Sequence, residues 1–165
     1  MSSVKDFRFR VDASPLPRRR VRITSDDKAP LEAAVPPEFR GGTAGLWSPE
    51  ELLVASVASC YTLTLGSVAR TRSLNLRRVE VEAAGHVTRR AEGRLGFVGI
   101  ELLVDLTVES GCEHAARRVA RDAHRACLVG HALAIPVELD LHVRAVDEPE
   151  RLVCADAVTA MLAAR

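Results

Sequence analysis

Thiols have the widest chemical reach of any side chain in this sequence, and there are four: Cys60, Cys112, Cys127 and Cys154. An exposed thiolate is a nucleophile and a metal ligand, whereas a buried thiol is a small hydrophobe. No two of them stand as Cys-x-x-Cys, which argues against a zinc knuckle and a thioredoxin-type motif. What remains is either a set of inert core thiols or a pair that the fold brings together for redox chemistry. Cys60 lies inside an apolar helical segment and Cys127 on the apolar face of another, so each alone reads as core packing. Cys112 and Cys154 read as structural. Among the five histidines, His114 and His124 are ten residues apart, and His86 and His142 fall on charged strand faces. None has a metal-ligand spacing with an acid between, so no metal is expected. His131, four residues after Cys127, is a candidate neighbour of any site there.

The elements that must carry these residues are legible from periodicity. Phe7, Phe9 and Val11 alternate with arginines, as do Val21 and Ile23, and each run predicts a strand. Ser14-Pro15-Leu16-Pro17 between them predicts a turn. A third short strand is expected near Leu31 to Val35, before the glycine run Gly41 to Gly45. Ser48-Pro49-Glu50-Glu51 is a helix start, with Ser48 as N-cap, Pro49 at the first helical position and Glu51 closing a capping box. That helix should run from Pro49 to about Arg72. Its middle is apolar nearly all round, which demands cover on every side. Strands follow at Val79 to Ala83 and Val98 to Val108, joined by a hairpin near Arg89 to Gly93. A helix over about Glu113 to Leu128 presents Ala116, Val119, Ala120, Ala123 and Cys127 on one face, with Gly130 ending or kinking it. A strand over Val137 to Val143 and a helix from Asp147 to about Ala164 complete the chain. This order predicts an α+β fold with mostly antiparallel neighbours.

The chain is one domain's worth, 165 residues, with 47% apolar and 27% charged residues. Its residues 1–45 are the N-terminal strands and glycine loop, and 147–165 a helical extension. The net charge of +1 gives no basic field for nucleic acid and no acidic arm. Arginine outnumbers lysine 21 to 2, a bias of genome composition rather than a phosphate-binding signature. Met1 to Arg10 has no apolar core, so no secretory signal is expected. The uncharged run from Leu52 to Ala69, 18 residues, reaches the lower bound for a membrane span. Its serines, threonines and glycine favour a buried central helix in a cytoplasmic protein without membrane contact.

Two motifs resemble the OsmC/Ohr family, the osmotically inducible protein C and organic hydroperoxide resistance proteins. The first is Ser48-Pro49-Glu50-Glu51-Leu52-Leu53, then Ala55, then Ala58-Ser59-Cys60. The second is Cys127-Leu128-Val129-Gly130-His131-Ala132-Leu133, which opens 67 positions after Cys60. It departs from the family pattern at Leu128, where the family has Pro, and at Gly130, where it has a hydroxyl residue. The order of elements agrees over about residues 5–146.

The resemblance implies a thiol peroxidase with a peroxidatic cysteine at Cys60 and a resolving cysteine at Cys127. It also implies a catalytic arginine at Arg40 and a carboxylate at Glu50 that holds the guanidinium fork. An organic hydroperoxide is the implied substrate, with Phe39, Leu46, Trp47 and Tyr61 as walls for its alkyl tail. A dithiol, by resemblance a lipoylated protein, is the implied reductant; no further cofactor is expected. The chemistry is consistent: a mid-helix thiol in an apolar site needs a cation or donors to ionise. The alternative is a non-catalytic member that binds a small apolar ligand or senses redox state. Glu50 and Cys60 lie ten residues apart on one helix, roughly 15 Å along its axis. A homodimer is therefore expected, with Glu50 of one chain beside Cys60 of the other.

Overall fold

A computed structural model describes residues 6–147. The C-terminal helix expected from Asp147 onward, and Cys154 with it, fall outside the described residues apart from Asp147 itself. The chain divides into two compact units at Ser56 and Val57, and the architecture is α+β.

The first unit holds an antiparallel sheet in the order β1 (Asp12–Leu16), β2 (Arg20–Thr24), β3 (Leu31–Ala34). The first strand is displaced from its expected place. Phe7, Phe9 and Val11 are exposed and outside any strand, whereas the expected turn supplies β1. Pro15 is tolerated because β1 is an edge strand and needs no second ladder. The turn itself lies at residues 17–19, where Arg18 and Arg19 adopt φ of 61° and 56°. After β3, residues 39–42 form a tight turn closed by Gly42 N–H on the Phe39 carbonyl at 2.9 Å. A Cβ on Gly42 would sit 2.0 Å from the Pro36 carbonyl oxygen, so only glycine fits there. Trp47 then bridges back to β3, its carbonyl accepting Ala34 N–H at 2.8 Å.

Helix α1 (Pro49–Thr71) starts as its sequence predicts. Ser48 Oγ accepts Glu51 N–H at 3.1 Å, and the Glu51 carboxylate accepts Ser48 N–H at 2.7 Å. The reciprocal pair satisfies two of the donors that every helix start leaves open.

The second unit begins at Val57 and contains the rest of α1, β4 (Arg78–Arg89), β5 (Leu95–Glu109), α2 (Glu113–Ala126), α3 (Leu128–Ala132) and β6 (Val137–Val146). Its sheet order is β4-β5-β6. The β4–β5 hairpin is antiparallel, as expected of most neighbours, whereas β5 and β6 are the parallel exception. The reason is the connection: α2 and α3 return the chain to the end where β5 began, as a crossover between parallel strands must. The core is built from one stripe of each element: Val57, Tyr61, Leu65 and Ala69 of α1, alternate residues Ile100 to Val108 of β5, and Ala116, Val119, Ala120 and Ala123 of α2. Each large apolar side chain buried there contributes about 1.5–3 kcal/mol. Val98, at the head of the expected alternation, is exposed because a bulge opposite His86 and Val87 breaks the register.

The stripe on α1 is narrow. Leu63, on another face, is 76% exposed, so the described residues do not give the apolar helix all-round cover.

Candidate functional site

The site builds from a break in the chain. The expected helix to Leu128 stops at Ala126, and a five-residue helix follows. Cys127 is the joint, with extended backbone at φ −69° and ψ 104°. A helix start leaves its first N–H groups without internal partners. At α3 these are the amides of Leu128, Val129 and Gly130, and they turn to the sulfurs. Val129 and Leu128 N–H donate to Cys60 Sγ, and Gly130 and Val129 N–H to Cys127 Sγ. The Cys127 carbonyl accepts His131 N–H at 3.0 Å, which holds the turn.

Cys60 reaches the same place from the middle of α1. Its sulfur and that of Cys127 are in hydrogen-bonding contact, and both thiols are free. One turn further along α1, the Thr64 hydroxyl bonds the Cys60 carbonyl at 2.8 Å and is in reach of Cys60 Sγ. Cys60 is half-buried and Cys127 buried.

The two thiols are driven apart electrostatically. Burial pushes the Cys60 thiol up, but the donors outweigh it: Val129 N–H first, then Cys127 S–H, the Thr64 hydroxyl and Leu128 N–H. The net direction is down, toward a thiolate. For Cys127, burial pushes up and two amides pull down, while donating to Cys60 and facing its charge keep the proton on. A thiol biased toward ionisation beside one biased toward keeping its proton is an arrangement suited to a two-step thiol oxidation.

The remaining residues with expected roles are placed as follows. Tyr61 is a correction: its ring is fully enclosed in the core, its hydroxyl donating to the Ala120 carbonyl at 3.4 Å, so it offers no wall to a substrate. Burial above all pushes its phenol well above the usual range, and the Cys127 thiolate, once formed at high pH, adds to it. Arg40, Glu50, Phe39, Leu46 and Trp47 all belong to the first unit. Arg40 is exposed in the tight turn, where its carbonyl accepts a bond from the Arg19 guanidinium. Phe39 and Trp47 are 37% and 49% exposed. Among the described residues no ion pair joins Arg40 to Glu50. Among the described residues the buried Glu50 Oε2 atom has no hydrogen-bond partner, an acceptor whose desolvation only a donor would offset.

Sequence reasoning missed Thr64 and the amides of Leu128 and Val129. Thr64 carried a usable signal, since residues four apart share a helix face. The amides carried none, because backbone donors are exposed by a break that only Gly130 hinted at.

Comparison with known proteins bears on the family and the fold. The OsmC-like protein family matches residues 42–142. An OsmC-like protein of unknown function from Vibrio cholerae has a TM-score of 0.75 at 14% identity, covering 83% of this chain and 100% of its own. An organic hydroperoxide resistance protein OsmC from Legionella pneumophila has a TM-score of 0.66 at 25% identity, covering 85% and 98%. The organic hydroperoxide resistance protein OhrB of Bacillus subtilis has a TM-score of 0.63 at 25% identity, covering 84% and 98%. A search of curated proteins finds no match. The matched residues take in Cys60, Cys127 and most of the described chain, and by that span the chain belongs to the OsmC-like protein family.

Proposed function

We propose that the protein is a cysteine-based peroxidase that reduces organic hydroperoxides through Cys60 and Cys127. One observation carries the reading: two free thiols in contact, with opposite protonation preferences, at the break between α2 and α3. Similarity to the Legionella pneumophila and Bacillus subtilis hydroperoxide resistance proteins supports the substrate class.

The Cys60 thiolate attacks the distal oxygen of the hydroperoxide. The S–O bond forms as the O–O bond breaks, and the alkoxide leaves as alcohol after taking a proton. The Cys60 sulfenic acid then condenses with the Cys127 thiol, forming the S–S bond and releasing water. An external dithiol, in this reading lipoyl-borne, gives two electrons and two protons and closes into its own disulfide.

Arg40 and Glu50 are assigned supporting roles. A guanidinium paired with Glu50 would stabilise the charge that develops on the attacked peroxide. The unpartnered Glu50 oxygen supports that pairing. Phe39, Leu46 and Trp47 would then shelter the alkyl tail. The exposure of Leu63 on α1 supports a homodimer in which Glu50 serves the other chain's Cys60. This reading places the protein in the cytoplasm.

The test is consumption of cumene hydroperoxide with dihydrolipoamide as donor. Wild type should turn over. Cys60→Ser should be inactive, while Cys112→Ser and Cys154→Ser should keep their activity. Full turnover by the Cys60→Ser protein would refute the assignment.

A further inference from the structure

Helix α2 has two faces of opposite character. Its apolar residues point into the core. At 100° per residue, His114, Arg117, Arg118, Arg121 and Arg125 fall within an arc of about 100° on the other side. All five are exposed. Arg125 is held by Asp122, which also pairs with Arg72 at 3.0 Å. Among the described residues, Arg117, Arg118 and Arg121 form no ion pair with a carboxylate, so their charge faces outward unneutralised. Because the whole chain carries only +1, this is a local concentration of charge and not the overspill of a basic protein.

The stripe also has a direction. From Arg117 to Arg125 it runs roughly 12 Å. It leads to Cys127, which caps the same helix, and then to Leu128, which is 73% exposed and whose amide donates to Cys60 Sγ. A positive track thus ends on an apolar step beside the two sulfurs.

We propose that this arginine face docks an acidic protein that delivers the dithiol to the Cys60–Cys127 disulfide. The proposal rests on the redox reading of that pair and names the partner of its reductive half. Charge complementarity carries it: an acidic surface laid along the stripe would place a flexible dithiol arm at Leu128. Such a stripe raises the encounter rate of an anionic partner more than its final affinity. Nucleic acid fits less well, since the track is short and leads to thiols that nucleic acid cannot reduce. In the step served here, the dithiol's two S–H groups become one S–S bond, and the protein's S–S bond becomes two S–H groups.

The test forms the disulfide in the full-length protein with diamide, without peroxide. Its reduction is then followed by counting free thiols after rapid quenching. Two peptides serve as probes, each with one dihydrolipoyl-lysine, one flanked by four glutamates and the other by four glutamines. At low ionic strength the glutamate peptide should reduce wild type about tenfold faster, and the advantage should fade with added salt. Arg117→Glu/Arg121→Glu should lose that preference yet keep the wild-type rate with free dihydrolipoamide. The milder Arg117→Gln/Arg121→Gln should fall between. Equal rates with both peptides on wild type, or a preference that survives charge reversal, would overturn the proposal. So would a short DNA duplex that binds wild type more tightly than the glutamate peptide and is lost on charge reversal. Since no peroxide is used, failure of the peroxidase reading would leave this measurement intact.

Discussion

Around Cys60, hydrogen-bond donors rather than a neighbouring cation bias a half-buried thiol toward its thiolate. Burial opposes the thiolate, and four donors reverse that, two of them backbone amides. Alkylation of Cys60 by iodoacetamide should therefore reach half its maximal rate at a pH below the ordinary thiol range, near 8.5 for a free cysteine. The sign is fixed by the charged form: a depressed value means the thiolate persists as pH falls, so reactivity is lost only below that midpoint. Cys127→Ala removes one donor and should move the midpoint up, slowing alkylation at neutral pH. An unchanged midpoint would show that the Cys127 thiol does not support the charge. The same substitution should permit one oxidation of Cys60 and then stall, with added oxygen on Cys60 visible by mass spectrometry. Thr64→Val keeps the shape and removes the hydroxyl, so it should also raise the midpoint.

Among the elements, the break between α2 and α3 does the most for the site. It turns Leu128, Val129 and Gly130 amides from helix-internal bonds into donors for sulfur. Leu128→Pro tests this at the element's own scale. Pro is accepted at the first position of a helix, and the extended backbone of Cys127 suits the residue before a proline. The fold should survive, and the Cys60 midpoint should rise by less than in Cys127→Ala, since Leu128 is the weakest of the four donors. A circular dichroism melt matched to wild type, together with the alkylation profile, checks both halves.

The elements also show what sequence could reveal. The start of helix α1 was legible to the residue, because capping chemistry is local: Ser48, Pro49 and Glu51 each mark it. The buried face of α2 was legible because 3.6-residue periodicity is strong over fourteen residues. The thiol pair was legible only through the motifs around Cys60 and Cys127, as no local pattern brings two distant helices together. β1 was misplaced because edge position, a tertiary fact, let Pro15 into a strand and left Phe7, Phe9 and Val11 outside. The parallel β5–β6 pairing was hidden because alternation is the same for either strand direction. The enclosure of Tyr61 was hidden because an aromatic residue next to a reactive thiol can face either way on a helix.

At the scale of the molecule, the helix that carries Cys60 has an apolar face that the described residues leave uncovered. Leu63 lies exposed three residues from Cys60, and Glu50 holds a buried oxygen with no donor among the described residues. A second copy would answer both. Sedimentation should show a dimer, and Leu63→Glu should weaken it by placing a charge in the covered face. A monomeric wild type would contradict the shared site. The central claim, however, is the partnership of Cys60 with Cys127, and covalent mapping reaches it most directly. The reduced protein is mixed with one equivalent of cumene hydroperoxide, free thiols are alkylated, and the digest is read by mass spectrometry. The account predicts one linked peptide joining Cys60 to Cys127, formed in step with the hydroperoxide consumed, with Cys112 and Cys154 alkylated. Recovery of Cys60 and Cys127 both alkylated, or a disulfide that joins Cys60 to another cysteine, would contradict it.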